Sequence, residues 1–492
     1  MRQRAPVLLL AAGLILWLVA PHVHAQQALT SYPFLRSPAQ VRALLEAANN
    51  GGYVPGETLV KFRDGMGPAE QTRALSAVRR GTSGASSRWL GGDVLMIATP
   101  DEPDAASIAA TLARQPEVEW AQPNYIRKPK LRPNDPAYSL QWNLDLINLP
   151  AAWDINRGAA PTVTVALIDS GVNTITTTPT FPLWTGQRFE SVAIPFRVNP
   201  DISAARVKAG RDFVFWGGPV LDLDGHGTFV AGTMLQETGN NLGTAGIAYQ
   251  ASLLPLKVCL GYWDLQLLMG GANQPGFADL NDTGCPDDAI ALAIRYAADS
   301  GAQVINISLS GEGPAPFVRD ALNYAVSRGS FIAMAAGNEF DEGNPIEYPA
   351  AYAAQINGAV SVGAVNRSSK RAPYSNTGSY LELVAPGGDF SDGALDGLIT
   401  QVDLDFNDAD PSVIRPRFDR YTLVSLEGTS AAAPHVAGVA AMLYAQGITS
   451  PAAIESALER SATDLGAAGR DAEYGFGLIN ARAAVRGLGL AK

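Results

Sequence analysis

Four polar residues in this chain have the types and settings that acyl transfer requires. They are Asp169 in Asp169-Ser170-Gly171, His226 in Gly225-His226-Gly227-Thr228, Asn338 in Ala336-Gly337-Asn338 and Ser430 in Gly428-Thr429-Ser430. A serine hydroxyl is a weak nucleophile until a neighbouring base takes its proton. Histidine is the side chain that serves as such a base near neutral pH. A carboxylate beside it fixes the imidazole tautomer and stabilises the imidazolium, and a side-chain amide can donate to the oxyanion that forms. The assignment is therefore Ser430 as nucleophile, His226 as base, Asp169 as the carboxylate that orients it, and Asn338 as oxyanion donor.

Taken singly, each residue has a plainer reading. Ser430 stands where a helix begins, because Pro434 is best tolerated in a first helical turn, and a serine there is ordinarily an N-cap. The same place suits a nucleophile, since the unpaired N–H groups of a helix start favour developing negative charge. His226 lies between two glycines, which let backbone approach closely, and could equally cap the helix of small residues that follows. Asp169 and Asn338 would each pass as turn residues beside Gly171 and Gly337. The company of all four decides for catalysis. Elimination points the same way. Of the four histidines, His22 and His24 lie in the N-terminal leader, and His435 follows Ala431-Ala432-Ala433-Pro434 on an apolar helix, where a packed structural role is expected.

The elements that must carry these residues are legible as well. Thr162–Ile168, Ser252–Val258, Gln303–Leu309, Ser330–Ala335 and Val360–Val365 are apolar, β-branched runs of buried-strand type. Asp287–Ser300 and Phe317–Arg328 read as helices between them, the second stopped by Gly329. This alternation predicts an α/β domain with a mostly parallel sheet and helices on both faces. Ligands in such folds sit beyond the carboxyl ends of the strands, where Asp169 and Asn338 fall. Asn173–Gly210 is expected to be mostly loop. Gly387–Leu423 carries Asp389, Asp392, Asp396, Asp403, Asp405, Asp408 and Asp410 and is expected to be a solvated acidic loop, with a structural calcium as the alternative.

The N-terminal region has a different character. Arg2 and Arg4, the apolar run Val7–Ala20 and the small residue of Val23-His24-Ala25 predict a secretory signal over 1–25. Residues 26–51 follow as an extension. Residues 52–128 hold Thr58–Phe62, Val94–Ile97 and Val118–Trp120 as strands and Ile108–Arg114 as a helix, the content of a small α+β domain. Residues 129–134 form the rest of a basic, Pro-rich linker that begins at Lys128, and 135–492 form the large domain. Residues 1–132 carry a net charge of +5 and the remainder −16. That acidic body argues against a nucleic-acid partner. No stable membrane anchor is expected after export, and the chain is expected to be a monomer. The two cysteines, Cys259 and Cys285, flank one insertion and are a candidate disulfide.

The order Asp, His, Ser, with these surroundings, resembles the subtilisin-like serine proteases, the subtilase family. Three blocks carry the resemblance: Val165–Val172, Asp224–Thr233 and Gly428–Gly438. It extends from about Asp135, through Gln141-Trp142 and Ala152-Trp153-Asp154, to a closing segment Gly475–Asn480. The resemblance implies a serine endopeptidase needing no cofactor for its chemistry and acting on polypeptides. It implies that 52–128 is a propeptide, an intramolecular inhibitor and folding aid ending near Pro123-Asn124-Tyr125, with the maturation cut near Lys128–Arg132. It implies substrate binding at Ser308-Leu309-Ser310 as an edge strand, with Ser310 in place of a frequent glycine. It puts Glu347, before Tyr348-Pro349, at the floor of the specificity pocket, where a carboxylate would favour Lys or Arg before the scissile bond. Two departures stand out. Phe229 replaces a frequent histidine, and Asn240-Asn241-Leu242-Gly243 looks shorter than the family's calcium loop. The rival readings are an esterase, which predicts a G-x-S-x-G elbow that Ser430 lacks, and a binding protein that retains the fold without catalysis.

Overall fold

Along Tyr53–Phe62 (β1) buried and more exposed residues alternate, as on a strand with one face on a core. In the computed structural model this strand sits inside a four-stranded antiparallel sheet. The other elements are Pro68–Arg79 (α1), Ser86–Gly91 (β2), Val94–Ala98 (β3), Ala105–Leu112 (α2) and Val118–Tyr125 (β4). The sheet order is β2-β3-β1-β4, the split βαβ arrangement. Val60, Phe62, Leu75, Leu95, Ile97 and Leu112 make its core. The structure describes residues 52–79, 85–91, 94–99, 104–126, 132–184, 188–215, 219–268, 284–405 and 416–487. They fall in two units that divide between residues 129 and 130. The signal and extension over 1–51, and Lys128 to Leu131 of the linker, lie outside the described residues.

The second unit is built on a different principle. Thr164–Asp169 (β5) is buried at every position, which suits a strand covered on both faces. Two hairpin strands follow, Thr180–Trp184 (β6) and Phe189–Ala193 (β7), then the short strand Arg211–Asp212 (β8) and the helix His226–Leu235 (α3). Next come Ser252–Lys257 (β9), Asp287–Asp299 (α4), Val304–Ile307 (β10), Gly311–Glu312 (β11) and Pro316–Ser327 (α5). They are followed by Phe331–Ala335 (β12), Glu347–Tyr348 (β13), Ala359–Val365 (β14) and Leu383–Pro386 (β15). Ile399–Leu404 (β16), Tyr421–Leu426 (β17), Thr429–Ala445 (α6) and Pro451–Ser461 (α7) complete the set used below. Seven parallel strands lie in the order β15-β14-β12-β10-β5-β9-β8. Helix α6 is apolar nearly all round and runs buried against β10, β12, β14 and β15, while α4 packs on β5 and β9 and α5 on β12. No helix among the described residues is long and apolar enough to cross a membrane.

One expectation is met and one is corrected. The described residues of Asn173–Gly210 are mostly loop, with β6 and β7 paired among them as an antiparallel hairpin. Gly387–Leu423 is not simply a solvated loop, because it supplies β16 and the start of β17 and buries Asp389 and Asp403 at 5% and 3% exposure. Both insertions are held by a small apolar cluster of their own, in which Phe181, Ile194, Phe196, Leu404 and Phe418 pack together. Residues so far apart in sequence leave no local periodicity to read. Asp408 and Asp410 lie outside the described residues.

Candidate active site

Asp169 ends β5, and the buried strand delivers its carboxylate to the sheet edge at 1% exposure. Its Oδ1 accepts the Ser170 N–H at 2.7 Å and faces His226 Nδ1 at 2.7 Å. That contact makes Nδ1 the donor and leaves Nε2 as the basic nitrogen. Beneath it, the buried Lys257 ammonium donates to the Ser170 carbonyl at 2.7 Å and pairs with Asp264 at 3.1 Å.

His226 is the first residue of α3. Gly227 beside it is required by close approach, since a Cβ there would lie 2.2 Å from the Gly171 carbonyl oxygen. The turn that delivers His226 is organised by Asp222, which is fully buried. Its Oδ1 accepts the N–H groups of Asp224 at 3.0 Å and Gly225 at 2.9 Å and the Ser170 hydroxyl at 3.0 Å. Its Oδ2 accepts from the Thr228 N–H at 3.0 Å and hydroxyl at 2.5 Å. One carboxylate thus ties the loop after Asp169 to the start of the His226 helix. Sequence reasoning missed Asp222. An aspartate six residues before a threonine matches no capping motif, and Gly225, which caps α3, has no side chain to offer, so no local signal points to it. Burial opposes the charged form of His226, but Asp169 first and then Asp224 and Asp222 outweigh it and push the imidazole up to about 9.

Ser430 is the second residue of α6. Gly428 before it has φ +150° and ψ 159°, a conformation open to glycine, and it turns the chain into the helix. Pro434 stands four residues beyond Ser430 and has no N–H, so the Ser430 carbonyl lacks its intrahelical partner. The Ser308 hydroxyl donates to that carbonyl at 2.9 Å and accepts from Asn306 Nδ2 at 2.9 Å. Ser308, expected to pair with substrate through its backbone, turns its side chain inward at 2% exposure to hold the Ser430 backbone. Asn338 follows β12. Its Oδ1 accepts the Thr429 N–H at 2.8 Å and hydroxyl at 2.9 Å. A backbone N–H can only donate, so this contact fixes the amide orientation and leaves Nδ2 as the outward donor.

Asp169, His226, Asn338 and Ser430 line one cleft of about 350 Å³. Its other acidic lining residues are Asp224, Asp287, Glu312 and Glu339, and no lysine or arginine is among its described lining. Ser308, Leu309 and Ser310 line it as well. Glu347, on β13, does not reach the lining. It is 2% exposed and lies behind Gly337, where an added Cβ would meet its Cγ at 2.5 Å. Burial first, then the neighbouring Glu339, push the Glu347 carboxyl up to about 7 against a hydrogen bond from Ser310. Asp224, Asp287, Glu312 and Glu339 are acidic lining residues that the sequence-based site did not include, and Glu339 lies beside Asn338. Its Oε2 accepts the Asn338 N–H at 2.6 Å.

The sulfurs of Cys259 and Cys285 are 2.07 Å apart, and both residues line the same cleft. His435 is remote in role, with Nδ1 against the Ala431 carbonyl and Nε2 against Asn143 Nδ2, both at 2.8 Å. Burial lowers it to about 4, which keeps it neutral. Elsewhere, Asp135 and Asp201, 4% and 0% exposed, close on the loop that contains Asn240. Asp135 accepts the N–H groups of Gly239 and Asn240, and Asp201 accepts from Asn240 Nδ2 at 2.8 Å and the Thr244 N–H at 3.0 Å. Burial, with Asp135 and Glu237 adding to it, pushes Asp201 up to about 7. The Asn240 amide turns its donor to Asp201 and its oxygen to the Leu242 N–H, so the acidic groups here are the two buried carboxylates alone.

The chain is similar to known proteins over most of its length. A family model described as "Subtilase family" matches residues 160–477, and one described as "Fervidolysin N-terminal prodomain" matches residues 39–124. The chain is 30% identical over 444 residues to the "Thermophilic serine proteinase" of Bacillus sp. (strain AK1), covering 90% of each protein. It is 31% identical over 357 residues to thermitase of Thermoactinomyces vulgaris, covering 72% of this chain and 99% of thermitase. Among solved structures, a protease from Pseudoalteromonas arctica superimposes with a TM-score of 0.53 at 28% identity, over 72% of this chain and 99% of that one.

Proposed function

The chain belongs to the subtilase family of serine peptidases, and on that premise we propose that it is an exported endopeptidase, made as a zymogen that cleaves off its own propeptide. The observation that carries the reading is the 2.7 Å contact of Asp169 Oδ1 with His226 Nδ1, in a cleft also lined by Ser430 and Asn338. In the proposed reaction His226 Nε2 takes the Ser430 hydroxyl proton as Oγ attacks the scissile carbonyl. Negative charge gathers on the carbonyl oxygen, where Asn338 Nδ2 and the Ser430 N–H donate to it. The imidazolium, stabilised by Asp169, passes its proton to the leaving amine, and water then releases the acyl group by the same steps. Asn338→Ala is expected to lower kcat by roughly 10²–10³ with little change in KM, as steady-state kinetics on one peptide would read.

Export and zymogen organisation belong to the same proposal. Residues 1–25 are the signal, 26–51 an extension, 52–128 the propeptide and inhibitor, 129–134 the processing linker, and the catalytic domain begins at 135. The prodomain match over 39–124 supports this, as does the division of the described residues between 129 and 130. In an oxidising compartment Cys259 and Cys285 form a disulfide that fixes one wall of the cleft. A fluorophosphonate probe tests the whole reading. Labelling at Ser430 together with turnover of unmodified peptides supports it. Labelling with ester turnover alone transfers the case to an esterase, and no labelling to a binding protein.

The acidic cleft supports a preference for Lys or Arg before the scissile bond, with Glu339 as the carboxylate that lines it, Glu347 as a second negative charge buried behind Gly337, and Ser308, Leu309 and Ser310 along the substrate backbone. Glu347 must be ionised to attract such a side chain from behind Gly337, so the preference for Arg over Leu should strengthen as pH rises through about 7. Glu347→Gln is expected to lower kcat/KM for the Arg peptide by about 100-fold and to abolish that pH trend. A peptide panel differing only at that position reads both, and Leu beating Arg in the wild type would overturn the assignment.

A structural calcium is proposed at Asp135 and Asp201, away from the chemistry. Bound there, it would neutralise two buried carboxylates and pin the loop. Chelation is expected to lower the wild-type Tm by several degrees, about 4 °C, while Asp201→Asn melts at the lower temperature with or without chelator. Equal responses to chelator in both proteins would count against that site.

A further inference from the structure

A lysine and an aspartate are buried side by side beneath the turn that carries Asp169, and the proposed reaction uses neither. Lys257 ends β9 directly opposite Asp169 in the parallel register, and the Val258 N–H donates to the Asp169 carbonyl at 2.8 Å. Lys257 is 1% exposed, and Asp264, on the short helix Tyr262–Leu268, is fully buried. The ammonium stands 3.1 Å from Asp264 Oδ1 and donates to Oδ2 at 3.3 Å, and the Gly261 N–H donates to the same Oδ2 at 2.9 Å. Burial raises the Asp264 carboxyl, and Lys257 first and then the Gly261 N–H pull it back toward the charged form. The desolvation of two such charges roughly cancels their attraction, so the pair adds little to stability. Its presence has to be explained by what else it touches.

What it touches is Ser170, whose carbonyl accepts from the Lys257 ammonium at 2.7 Å. The other polar groups of Ser170 are all engaged at the site. Its N–H donates to Asp169 Oδ1 at 2.7 Å, and its hydroxyl donates to Asp222 at 3.0 Å and accepts the Gly227 N–H at 2.8 Å. Ser170 thus joins the Asp169 carboxylate to the start of the helix that bears His226, and Lys257 holds it from the opposite end. Asp264 lies between Cys259 and Cys285, which both line the cleft, so the pair ties that wall to the Asp169 turn.

We propose that Lys257 and Asp264 are positioning residues for the reaction, which set the Asp169–His226 contact by anchoring Ser170 from beneath. This rests on the acyl-transfer reading of Asp169, His226 and Ser430, but its main readout needs no turnover. The charged groups that act on His226 are Asp169, Asp224 and Asp222, and His226 in turn acts on the buried Asp403 of β16. Lys257 and Asp264 carry opposite charges. Removing both leaves the net charge beneath the site unchanged, so a change at His226 then reports geometry.

The test follows the histidines of the exported chain carrying Ser430→Ala, which keeps every variant uncut. His22 and His24 leave with the signal, so isotope-labelled histidine gives two NMR signals, from His226 and His435. His435, buried on α6 against Ala431 and Asn143, is the internal control. Lys257→Met/Asp264→Leu puts apolar groups of similar size in place of the pair and is expected to keep the wild-type Tm. The His226 midpoint is expected to fall by about one pH unit, because the Asp169 contact that raises it is loosened, while His435 stays in place. With Ser430 restored, kcat per fluorophosphonate-labelled site is expected to fall about 10- to 100-fold with little change in KM. Should that variant not fold, Lys257→Gln/Asp264→Asn, which removes the same two charges and keeps polar groups, carries the test with the same expected directions. An unmoved His226 midpoint and an unmoved kcat in a folded double variant overturn the proposal and leave the pair as packing. Both histidines moving together with a lower Tm overturn it as well, as a general loosening. A fall at His226 alone in a chain that turns over no peptide upholds the anchoring of Asp169 and removes the acyl-transfer reading instead.

Discussion

Ser430→Ala is expected to reduce peptide hydrolysis by about 10⁶-fold and to leave the exported chain uncut near Lys128–Arg132. The size of the loss follows from what surrounds the hydroxyl. The first turn of α6 holds Ser430 with its N–H free of an intrahelical acceptor, Gly428 sets its approach, and Ser308 grips its carbonyl. All of that positioning serves one oxygen, so removing the oxygen removes the acyl route while the fold stays. Residual catalysis from the oxyanion donors is all that should remain. Intact mass and N-terminal sequence of the exported protein, wild type beside variant, read the outcome. A cut in wild type and none in the variant ties maturation to Ser430 and makes it autolytic. The residue before the cut then also bears on Glu347. Identical cutting in both would assign maturation to another protease.

Asp169→Asn should be the next most damaging change, about 10⁴-fold in kcat, with the fold retained. The carboxylate accepts from both the Ser170 N–H and His226 Nδ1 through Oδ1. An amide placed there can present N–H to the imidazole, which turns the ring to the tautomer whose Nε2 carries the proton, the wrong one for a base. The same variant has a signature in pH. The base works only when neutral, so the wild-type kcat/KM for an uncharged substrate should climb with pH well above 7, because His226 is pushed up to about 9 by Asp169, Asp224 and Asp222 against the effect of burial. Removing the Asp169 charge lowers the imidazole, and the acid limb of the residual activity should move to lower pH. A pH–rate profile on one neutral peptide settles it. An acid limb that stays in place would show that His226 does not govern the profile.

How much of this was legible in the sequence varies from residue to residue. Strands β5, β9, β10, β12 and β14 were readable because a strand buried on both faces must be apolar along its whole length, and α4 and α5 because each has a clear start and stop. Strands β8 and β15, two and four residues long, carry too little pattern to be seen. The hairpins inside the two insertions escaped for another reason, since their apolar partners come from sequence positions as far apart as Phe181 and Phe418.

The same division runs through the site. The chemistry-bearing residue types, their order and the glycines beside them are local, so sequence alone determined the parallel sheet and the choice of Asp169, His226, Asn338 and Ser430 as the proposed acyl-transfer set. The five hydrogen bonds of Asp222, the inward turn of Ser308 toward a carbonyl left vacant by Pro434, and the placement of Glu347 behind Gly337 were decided only by the tertiary structure. So was the meeting of Lys257 with Asp264 beneath Ser170. A motif records which groups are present, whereas a buried carboxylate or hydroxyl takes its role from the donors and charges that folding brings to it, and those come from segments remote in the chain.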